Sequence, residues 1–176
     1  MTNIAYELGN QVQEKLETSG GINSITYESL LVMGMGGSGV SGDVLKLLSD
    51  TVTSTDVTVI KNYNIPTNLI EKKPFCLFIS YSGNTEETLS GLSEAIANNF
   101  DWAVISSGGK LIEKAVNSNK EYIQIPSGLQ PRAAFGYLAQ AVCLFLDNNE
   151  NTDFTSKIRE SGIHLNELLS DSEDSE

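Results

Sequence analysis

Short apolar runs alternate with longer amphipathic stretches along most of the chain. The runs carry few charges and are typical of strands that are buried on both faces of a sheet. They predict five strands, at residues 29–33, 56–60, 75–80, 102–106 and 122–125. Around them apolar residues recur at helical spacing, as at Ile4, Leu8, Val12 and Leu16. The predicted helices cover residues 3–18, 39–48, 85–98, 111–118, 131–146 and 153–169, with one more short helix inside 63–73.

The alternation of strands and helices predicts an α/β fold. Each pair of successive strands is separated by enough residues for a crossover helix, so the strands are expected to run parallel with helices on both faces. We therefore predict a three-layer αβα sandwich with a five-stranded parallel sheet in the flavodoxin-like order 2-1-3-4-5. In that order a crevice opens between the carboxyl ends of the first and third strands, where ligands of such folds bind.

Composition and charge narrow the class of protein. The 176 residues are 40% hydrophobic, which is usual for a globular chain, and we expect one domain over residues 1–169 with its core at about 28–147. The 11 basic and 23 acidic residues give a net charge of −12, which disfavours nucleic acid or an anionic membrane as a partner. The acidic residues concentrate near the end, so residues 170–176 are predicted to form a solvated acidic tail.

The remaining composition predicts a cytoplasmic protein. The N-terminus has no basic stretch followed by an apolar one, so we expect no signal peptide. No apolar run approaches the length that crosses a bilayer. Cys76 and Cys143 each lie inside an apolar run, without a partner at metal or redox spacing, so we expect buried, reduced thiols.

A glycine-rich loop follows the first predicted strand. It reads Gly-Met-Gly-Gly-Ser-Gly over residues 34–39, so its backbone can approach a ligand closely. The spacing also fits the Gly-x-Gly-x-x-Gly fingerprint of dinucleotide sites, which is a weak signal by itself. That fingerprint needs an acid at the end of the second strand, but Asp56 stands at the start of that strand. A tight strand-to-helix turn is the other interpretation.

A loop rich in hydroxyl side chains follows the third predicted strand. Ser80, Ser82 and Thr85 precede a helix N-terminus, and Gly83 permits the turn. Hydroxyls and unpaired helix amides form a cup for one phosphate group, although the loop has no Lys or Arg. A similar loop holds flavin phosphate in flavodoxins, where it follows the first strand. The alternative is an ordinary helix cap, with Ser82 or Asn84 as the N-cap residue.

A proline–arginine pair opens the helix predicted at residues 131–146. Pro131 suits the first turn of a helix, and Arg132 lies in the same turn. A cation is unfavourable at a helix N-terminus, so the position of Arg132 indicates an anionic target. That target is either a carboxylate of the chain or a bound ligand.

Together the three segments resemble the sugar isomerase (SIS) domain family. The resemblance rests on residues 33–40, 79–89 and 130–137 and covers about residues 5–147. Within that family the sequence is most similar to the N-terminal SIS domain of bifunctional phosphoglucose/phosphomannose isomerases. The resemblance implies a sugar phosphate ligand and interconversion of aldose and ketose phosphates through a cis-enediolate.

The resemblance also implies a role for individual residues. The implied phosphate ligands all carry hydroxyls, and they are Ser80, Ser82 and Thr85. The residues implied to line the sugar chain lie in the glycine-rich loop, and they are Gly36, Gly37 and Ser38. Arg132 matches the family arginine that faces the enediolate.

The catalytic base and the ring-opening group are not assigned by the resemblance. In the family a glutamate, a histidine and a lysine with these tasks lie in a second SIS domain, which has no counterpart in residues 1–176. Glu160 and His164, one turn apart on a predicted helix, are the candidates left, and they would act across a dimer. Asp43, Glu86 and Glu87 are expected to be helix-terminal charges.

The sequence therefore supports a phosphosugar-binding SIS protein that isomerises hexose 6-phosphates between the glucose or mannose form and fructose 6-phosphate. The alternative is a non-catalytic phosphosugar-binding module, or half of an enzyme that lacks its second SIS domain. A nucleotide or flavin binder is a third hypothesis, resting on the two loops alone. The resemblance implies no cofactor and no metal. We also expect a homodimer, because the apolar surface of residues 133–146 is too wide for a one-sided surface helix.

Overall fold

The computed structural model describes residues 2–19 and 25–173, which form an α/β sandwich. Its strands are β1 (Glu17–Thr18), β2 (Ser29–Gly34), β3 (Asp56–Ile60), β4 (Phe75–Ile79), β5 (Trp102–Ser106) and β6 (Glu121–Gln124). Its helices are α1 (Thr2–Gln11), α2 (Gly36–Val52), α3 (Thr67–Ile70), α4 (Glu86–Ala97), α5 (Gly109–Asn117), α6 (Phe135–Glu150) and α7 (Phe154–Glu173). A 3₁₀ helix covers Pro131–Ala133.

The sheet has six strands in the order β1-β6-β5-β4-β2-β3, which corrects the predicted count of five. The helix predicted over 3–18 ends at Gln11, and Glu17–Thr18 then pairs antiparallel with β6. A two-residue strand is too short to show alternation, so its pairing partner and not its own pattern determines it. The other five strands are parallel and lie in the order β3-β2-β4-β5-β6.

The two helices predicted at 131–146 and 153–169 have different limits in the structure. The helix predicted at 131–146 is interrupted at Ala134, whose φ of −99° and ψ of 17° separate the 3₁₀ helix from α6. The last helix, α7, continues to Glu173, so the first residues of the predicted tail 170–176 are helical. The rest of that tail, residues 174–176, lies outside the described residues.

Apolar side chains pack on both faces of the sheet. Adjacent residues of a strand point to opposite faces, so Val32 and Leu77 lie in one core and Met33 and Phe78 in the other. The first core is closed by α2 and α6, and the second by α4 and α5. This double burial explains why the central strands read as continuous apolar runs.

The two cysteines lie in this interior as free thiols. Cys76 and Cys143 are both buried, as the sequence predicts. Burial raises the pKa of each thiol to about 12, and the nearby carboxylate of Asp147 adds to the effect at Cys143. Both thiols therefore stay protonated and unreactive near neutral pH.

The chain itself covers the wide apolar surface of α6. One side of α6 packs on the sheet and α2, and the other side packs on α1 and α7. Helices α1 and α7 approach closely at Gly9 and Gly162, where an added Cβ at Gly162 would clash with Val12. The width of this surface is thus explained within one chain, and it no longer supports the predicted homodimer.

No helix within residues 2–19 and 25–173 combines the length and the apolarity needed to cross a membrane.

Candidate functional site

The glycine-rich loop and the hydroxyl-rich loop start side by side at the carboxyl edge of the sheet. They follow β2 and β4, which are neighbours, and Gly34 is the register partner of Ile79. The connections that follow these strands lead to helices on opposite faces, α2 and α4, so the loops diverge and leave a crevice between them.

The glycine-rich loop forms the first turn of α2. Gly36 is exposed with a φ of +53°, and an added Cβ there would have no atom within 4 Å. Gly37 lies against the third segment, since its added Cβ would be 3.6 Å from the carbonyl oxygen of Pro131. Ser38 is buried, and its hydroxyl oxygen accepts a hydrogen bond of 3.1 Å from the backbone N–H of Tyr81. The first two loops are therefore directly connected.

The hydroxyl-rich loop presents two paired hydroxyls in front of α4. Ser80 is buried, and its Oγ lies 2.8 Å from Oγ1 of the half-buried Thr85. Ser82 is exposed at the tip of the loop. Gly83 has a φ of +67° and accepts a backbone hydrogen bond of 3.1 Å from Leu111 at the start of α5. The loop is thus held in place from α5.

The ordinary helix cap does not account for these residues. Thr85 is the N-cap residue of α4, and its side chain makes no capping hydrogen bond to the helix. The oxygen of the Asn84 side chain accepts instead from the backbone N–H of Lys110 at 3.2 Å, and Ser82 Oγ accepts from Asn84 N–H at 3.2 Å. The N-cap residue of α2, Met35, likewise makes no side-chain capping bond. Two helix N-termini therefore flank the crevice without side-chain caps.

Two of the acidic residues near the loops are helix-terminal charges, as predicted, whereas Asp43 lies within α2 beyond its first turn. Glu86 and Glu87 lie in the first turn of α4, where carboxylates complement the helix dipole. Their charges, that of Glu87 first, raise the pKa of Tyr63 in the loop after β3. Asp43 on α2 forms an ion pair with Lys61.

The acid that a dinucleotide site requires is absent from the crevice side of β3. Asp56 stands at the amino end of β3 and pairs with Lys72, with 2.7 Å between carboxylate oxygen and ammonium nitrogen. It therefore lies at the edge of the sheet opposite the two loops, as its position in the sequence predicts.

Arg132 lies in the 3₁₀ helix next to Gly37. Its side chain is exposed, and among the side chains that the structure describes it takes part in no ion pair. Of the two targets that the sequence left open, no carboxylate among the described side chains pairs with Arg132, so a bound anion stays open as its target.

Comparison with curated proteins supplies relatives that share most of this chain. It is 37% identical over 131 residues to the bifunctional phosphoglucose/phosphomannose isomerase of Thermoplasma acidophilum, which covers 74% of this chain and 40% of the relative. The enzyme of the same name from Caldicellulosiruptor bescii is 36% identical over 141 residues, with 78% and 41% covered. The chain belongs to the SIS domain family.

A third relative carries a different name. The D-glucosamine-6-phosphate 4-epimerase of Sulfolobus acidocaldarius is 32% identical over 142 residues, with 80% of this SIS domain and 44% of the relative covered. The chain thus spans about two fifths of the length of the curated relatives it matches. No family model matches the sequence.

Solved structures show the same fold. The C-terminal domain of glucosamine-fructose-6-phosphate aminotransferase from Francisella tularensis has a TM-score of 0.62 at 14% identity, covering 96% of this SIS domain and 54% of that chain. The NanR protein of Vibrio vulnificus, complexed with ManNAc-6P, has a TM-score of 0.50 at 12% identity, covering 99% and 61%. At these identities the likeness concerns the fold alone.

Glu160 and His164 are not brought to the crevice by contacts within the SIS domain. Both side chains are exposed on α7, which packs on α1 and α6. His164 Nδ1 lies 3.7 Å from the carboxylate of Glu167 on the same helix. In the described part of the chain, no hydrogen bond or ion pair joins either residue to the three loops.

Gln11 is a residue of the site that our sequence reasoning missed. Its buried side chain donates a hydrogen bond of 2.8 Å to the carbonyl oxygen of Ala133 and accepts one of 3.0 Å from the N–H of Gly136. It therefore bridges the break between the 3₁₀ helix of Arg132 and α6. A signal was present, because Gln11 falls three residues after Leu8 and so on the apolar face of α1.

A cavity of about 540 Å³ lies at the amino edge of the sheet, away from the three loops. It is lined by residues that precede β2, β4 and β5, among them Glu28, Lys73 and Asp101. None of the predicted site residues lines it. We place the site at the carboxyl edge, because the uncapped helix N-termini and the paired hydroxyls lie there.

Proposed function

We propose that this chain is the phosphosugar-binding SIS domain of an isomerase that interconverts hexose 6-phosphates. The observation that carries the proposal is the pair of hydroxyls of Ser80 and Thr85 in front of an uncapped helix N-terminus. The names of the relatives support a sugar phosphate as the ligand and isomerisation as the reaction. Because the chain spans two fifths of those relatives, the activity of the whole protein is part of this proposal.

The phosphate would be held by neutral donors. The hydroxyls of Ser80, Ser82 and Thr85 and the first amides of α4 all lie at the same loop. A helix N-terminus carries a partial positive charge, so it favours a phosphate dianion without a lysine or arginine. Local amides and hydroxyls act at hydrogen-bond range, and for this reason the net charge of −12 does not prevent binding.

The sugar chain would extend across the crevice toward α2. Gly36 and Gly37 offer backbone without side chains, and Ser38 fixes the position of that backbone through its bond to Tyr81. Arg132 lies on the far side of Gly37, because Pro131 contacts that glycine. In this arrangement a ligand held by its phosphate at α4 would present its carbonyl end toward the guanidinium.

The proposed reaction moves one proton between neighbouring carbons. A base takes the proton from the carbon next to the carbonyl, and a cis-enediolate forms. A proton then passes from the neighbouring hydroxyl oxygen to the former carbonyl oxygen, and the base returns its proton to the former carbonyl carbon, which leaves the carbonyl on the neighbouring carbon. Arg132 would stabilise the negative charge that develops on the enediolate oxygen. The three loops contain no group placed as the base, so Glu160 and His164 of a second copy stay the candidates within this sequence.

A phosphosugar-binding module without catalysis is the second candidate function. It is favoured by one observation, namely that the three described loops contain no group placed to act as the base. In that case the loops would bind a sugar phosphate and no proton would be exchanged.

Proton NMR of fructose 6-phosphate in deuterium oxide separates the two functions. Deuterium incorporated at sugar carbons, with glucose 6-phosphate or mannose 6-phosphate growing in, would establish isomerisation. Line broadening of the sugar without exchange would establish the binding module. Absence of any interaction at millimolar fructose 6-phosphate and glucosamine 6-phosphate would contradict both functions. Inorganic phosphate serves as a control that tests the phosphate loop without the sugar.

A further inference from the structure

One buried tyrosine joins all three loops of the crevice. Tyr81 lies inside the hydroxyl-rich loop and is 5% exposed. Its backbone N–H donates to Ser38 Oγ at 3.1 Å, which reaches the glycine-rich loop. Its carbonyl oxygen accepts from Ser107 after β5, at 3.0 Å from the backbone N–H and 2.6 Å from the hydroxyl. Its phenol oxygen accepts from the backbone N–H of Leu129 at 3.0 Å, which reaches the segment of Arg132.

The bond to Leu129 holds a segment whose other hydrogen bond runs only to the 3₁₀ helix that directly follows it. Residues 126–130 connect β6 to the 3₁₀ helix and form no regular element. Within the part of the chain that the structure describes, the phenol of Tyr81 makes the one hydrogen bond that joins 126–130 to a part of the fold beyond the adjoining 3₁₀ helix, where Ala133 N–H donates to the carbonyl oxygen of Gln130 at 2.8 Å. Leu129 stands only three residues before Arg132, and the ring of Pro131 between them fixes one backbone dihedral. The hydrogen bond between Leu129 and Tyr81 therefore also restricts the position of Arg132.

A second clamp lies on the other side of Arg132. The amide of Gln11 holds both the carbonyl of Ala133 and the N–H of Gly136. Arg132 thus stands between two fixed points, and only one of them, Tyr81, belongs to the loop where the phosphate is proposed to bind. A shift of that loop would move Leu129, whereas Gln11 would stay with α1.

We propose that Tyr81 is a positioning residue, whose phenol holds the Arg132 segment in register with the hydroxyl-rich loop. This rests on the proposed function, because it assigns the loop to phosphate and Arg132 to the reacting end of the sugar. Binding of a phosphate at the hydroxyl-rich loop would then affect residues 129–133 through one hydrogen bond, that between Tyr81 and Leu129. Tyr81 touches neither the phosphate nor the reacting atoms, so it acts through Arg132.

The test is the variant Tyr81→Phe, which keeps the buried ring and both backbone bonds and removes the phenol oxygen alone. Tyr63→Phe is the matched control, because Tyr63 is an exposed tyrosine in the loop after β3. Amide hydrogen exchange of the whole chain is measured without ligand and with fructose 6-phosphate. Without ligand we expect the amide of Leu129 to exchange about tenfold faster in Tyr81→Phe and at the wild-type rate in Tyr63→Phe.

With fructose 6-phosphate, we expect slower exchange at residues 80–86 in all three proteins, and at 129–133 in wild type and Tyr63→Phe only. In a preparation that turns over substrate, Tyr81→Phe should lower kcat about tenfold and leave KM within twofold, a split that loss of general stability would not produce. Unchanged Leu129 exchange in the ligand-free Tyr81→Phe variant would overturn the proposal. No protection of 80–86 in the wild type would refute the phosphate site instead, while the ligand-free comparison would still decide the role of Tyr81.

Discussion

At the scale of single residues, Gly83 determines the shape of the hydroxyl-rich loop. Its φ is +67°, and a Cβ added there would clash with the carbonyl oxygen of Gly108 and lie 2.7 Å from Ser106 Oγ. The loop therefore packs on the connection to α5 through backbone atoms, with no side chain of residue 83 between them. This contact sets how far Ser80 and Thr85 stand from the α5 side of the sheet.

We expect Gly83→Ala to lose phosphate binding and to lower the free energy of unfolding by about 2–4 kcal/mol, from the strain of a positive φ together with the clash. Gly36→Ala is the matched control, since Gly36 also has a positive φ but open space around it, and it should cost about 1 kcal/mol. Urea unfolding and titration with inorganic phosphate measure both effects. Equal costs in the two variants would show that the contact with Gly108 contributes nothing.

Arg132 is the second residue whose role can be tested alone. Because it is exposed and outside the ion pairs of the described side chains, Arg132→Ala should leave the stability within about 0.5 kcal/mol of wild type. In an active preparation it should lower kcat by about 10²–10³-fold, the usual cost of removing one donor to a developing oxyanion. Lys114→Ala, an exposed cation on α5, is the control. Unchanged turnover in Arg132→Ala would remove this arginine from the proposed mechanism.

The sequence points to some of these residues and not to others. The Ser80, Ser82 and Thr85 hydroxyls form a local motif, so their proximity follows from a few neighbouring positions. The contacts of Gln11 and Tyr81 join residues that are 122 and 48 positions apart. Such contacts depend on how α1, α6 and the sheet pack together, and no local pattern encodes them.

At the scale of elements, α7 begins at an unusual cap. The carboxylate of Asp147, from the last turns of α6, accepts hydrogen bonds from Thr152 Oγ1 at 2.6 Å and from the N–H groups of Phe154 and Thr155 at 2.7 Å each. Burial by itself raises the pKa of this carboxyl, but these hydrogen bonds outweigh it and hold the pKa below its usual value. A side chain of α6 thus caps the start of α7.

This cap predicts a pH-dependent stability. A carboxyl with a lowered pKa contributes stability that is fully present above its unfolded-state pKa of about 3.9 and is lost as the pH falls through the lower folded-state value. Asp147→Asn should therefore cost about 1–2 kcal/mol at pH 7 and progressively less below pH 4. Asp50→Asn, on the exposed face of α2, is the control. A cost for Asp147→Asn that does not change between pH 7 and pH 3 would contradict this cap.

The packing of α7 on α1 gives a second test at this scale. A Cβ at Gly162 would clash with Val12 and lie 2.8 Å from the carbonyl oxygen of Gly9. We expect Gly162→Ala to lower the free energy of unfolding by about 1–3 kcal/mol through overpacking and to speed amide exchange in α7. Ser156→Ala, at an exposed position of the same helix, should change neither. If Gly162→Ala matched that control, the close approach of the two helices would be wrong.

The pattern of the sequence predicts the elements of the core better than those at its margins. Strands β2, β4 and β5 bury apolar side chains on both faces of the sheet, so a continuous apolar run reveals them. By contrast, β1 has two exposed residues and exists through its pairing with β6. The break at Ala134 depends on the Gln11 clamp, which lies in another element.

At the scale of the whole molecule, the assembly stays a prediction. The sequence suggested a homodimer because of the apolar width of α6, but α1 and α7 cover that surface within one chain. The remaining argument is chemical, since the proposed reaction needs a base that the three loops do not contain. We expect light scattering at micromolar concentration to give twice the mass of 19.0 kDa. A monomer that still exchanges deuterium into fructose 6-phosphate would show that no second copy supplies the base.

The contacts of Gln11 have a consequence for folding during synthesis on the ribosome. Gln11 is synthesised more than a hundred residues before its partners Ala133 and Gly136. Until α6 has left the exit tunnel, one face of the sheet lacks part of its helix layer and the arginine has no fixed position. Nascent chains that stop before Gly136 should therefore contain neither a closed core on that face nor a finished crevice. This domain therefore becomes competent to hold a ligand only after α6 has been synthesised.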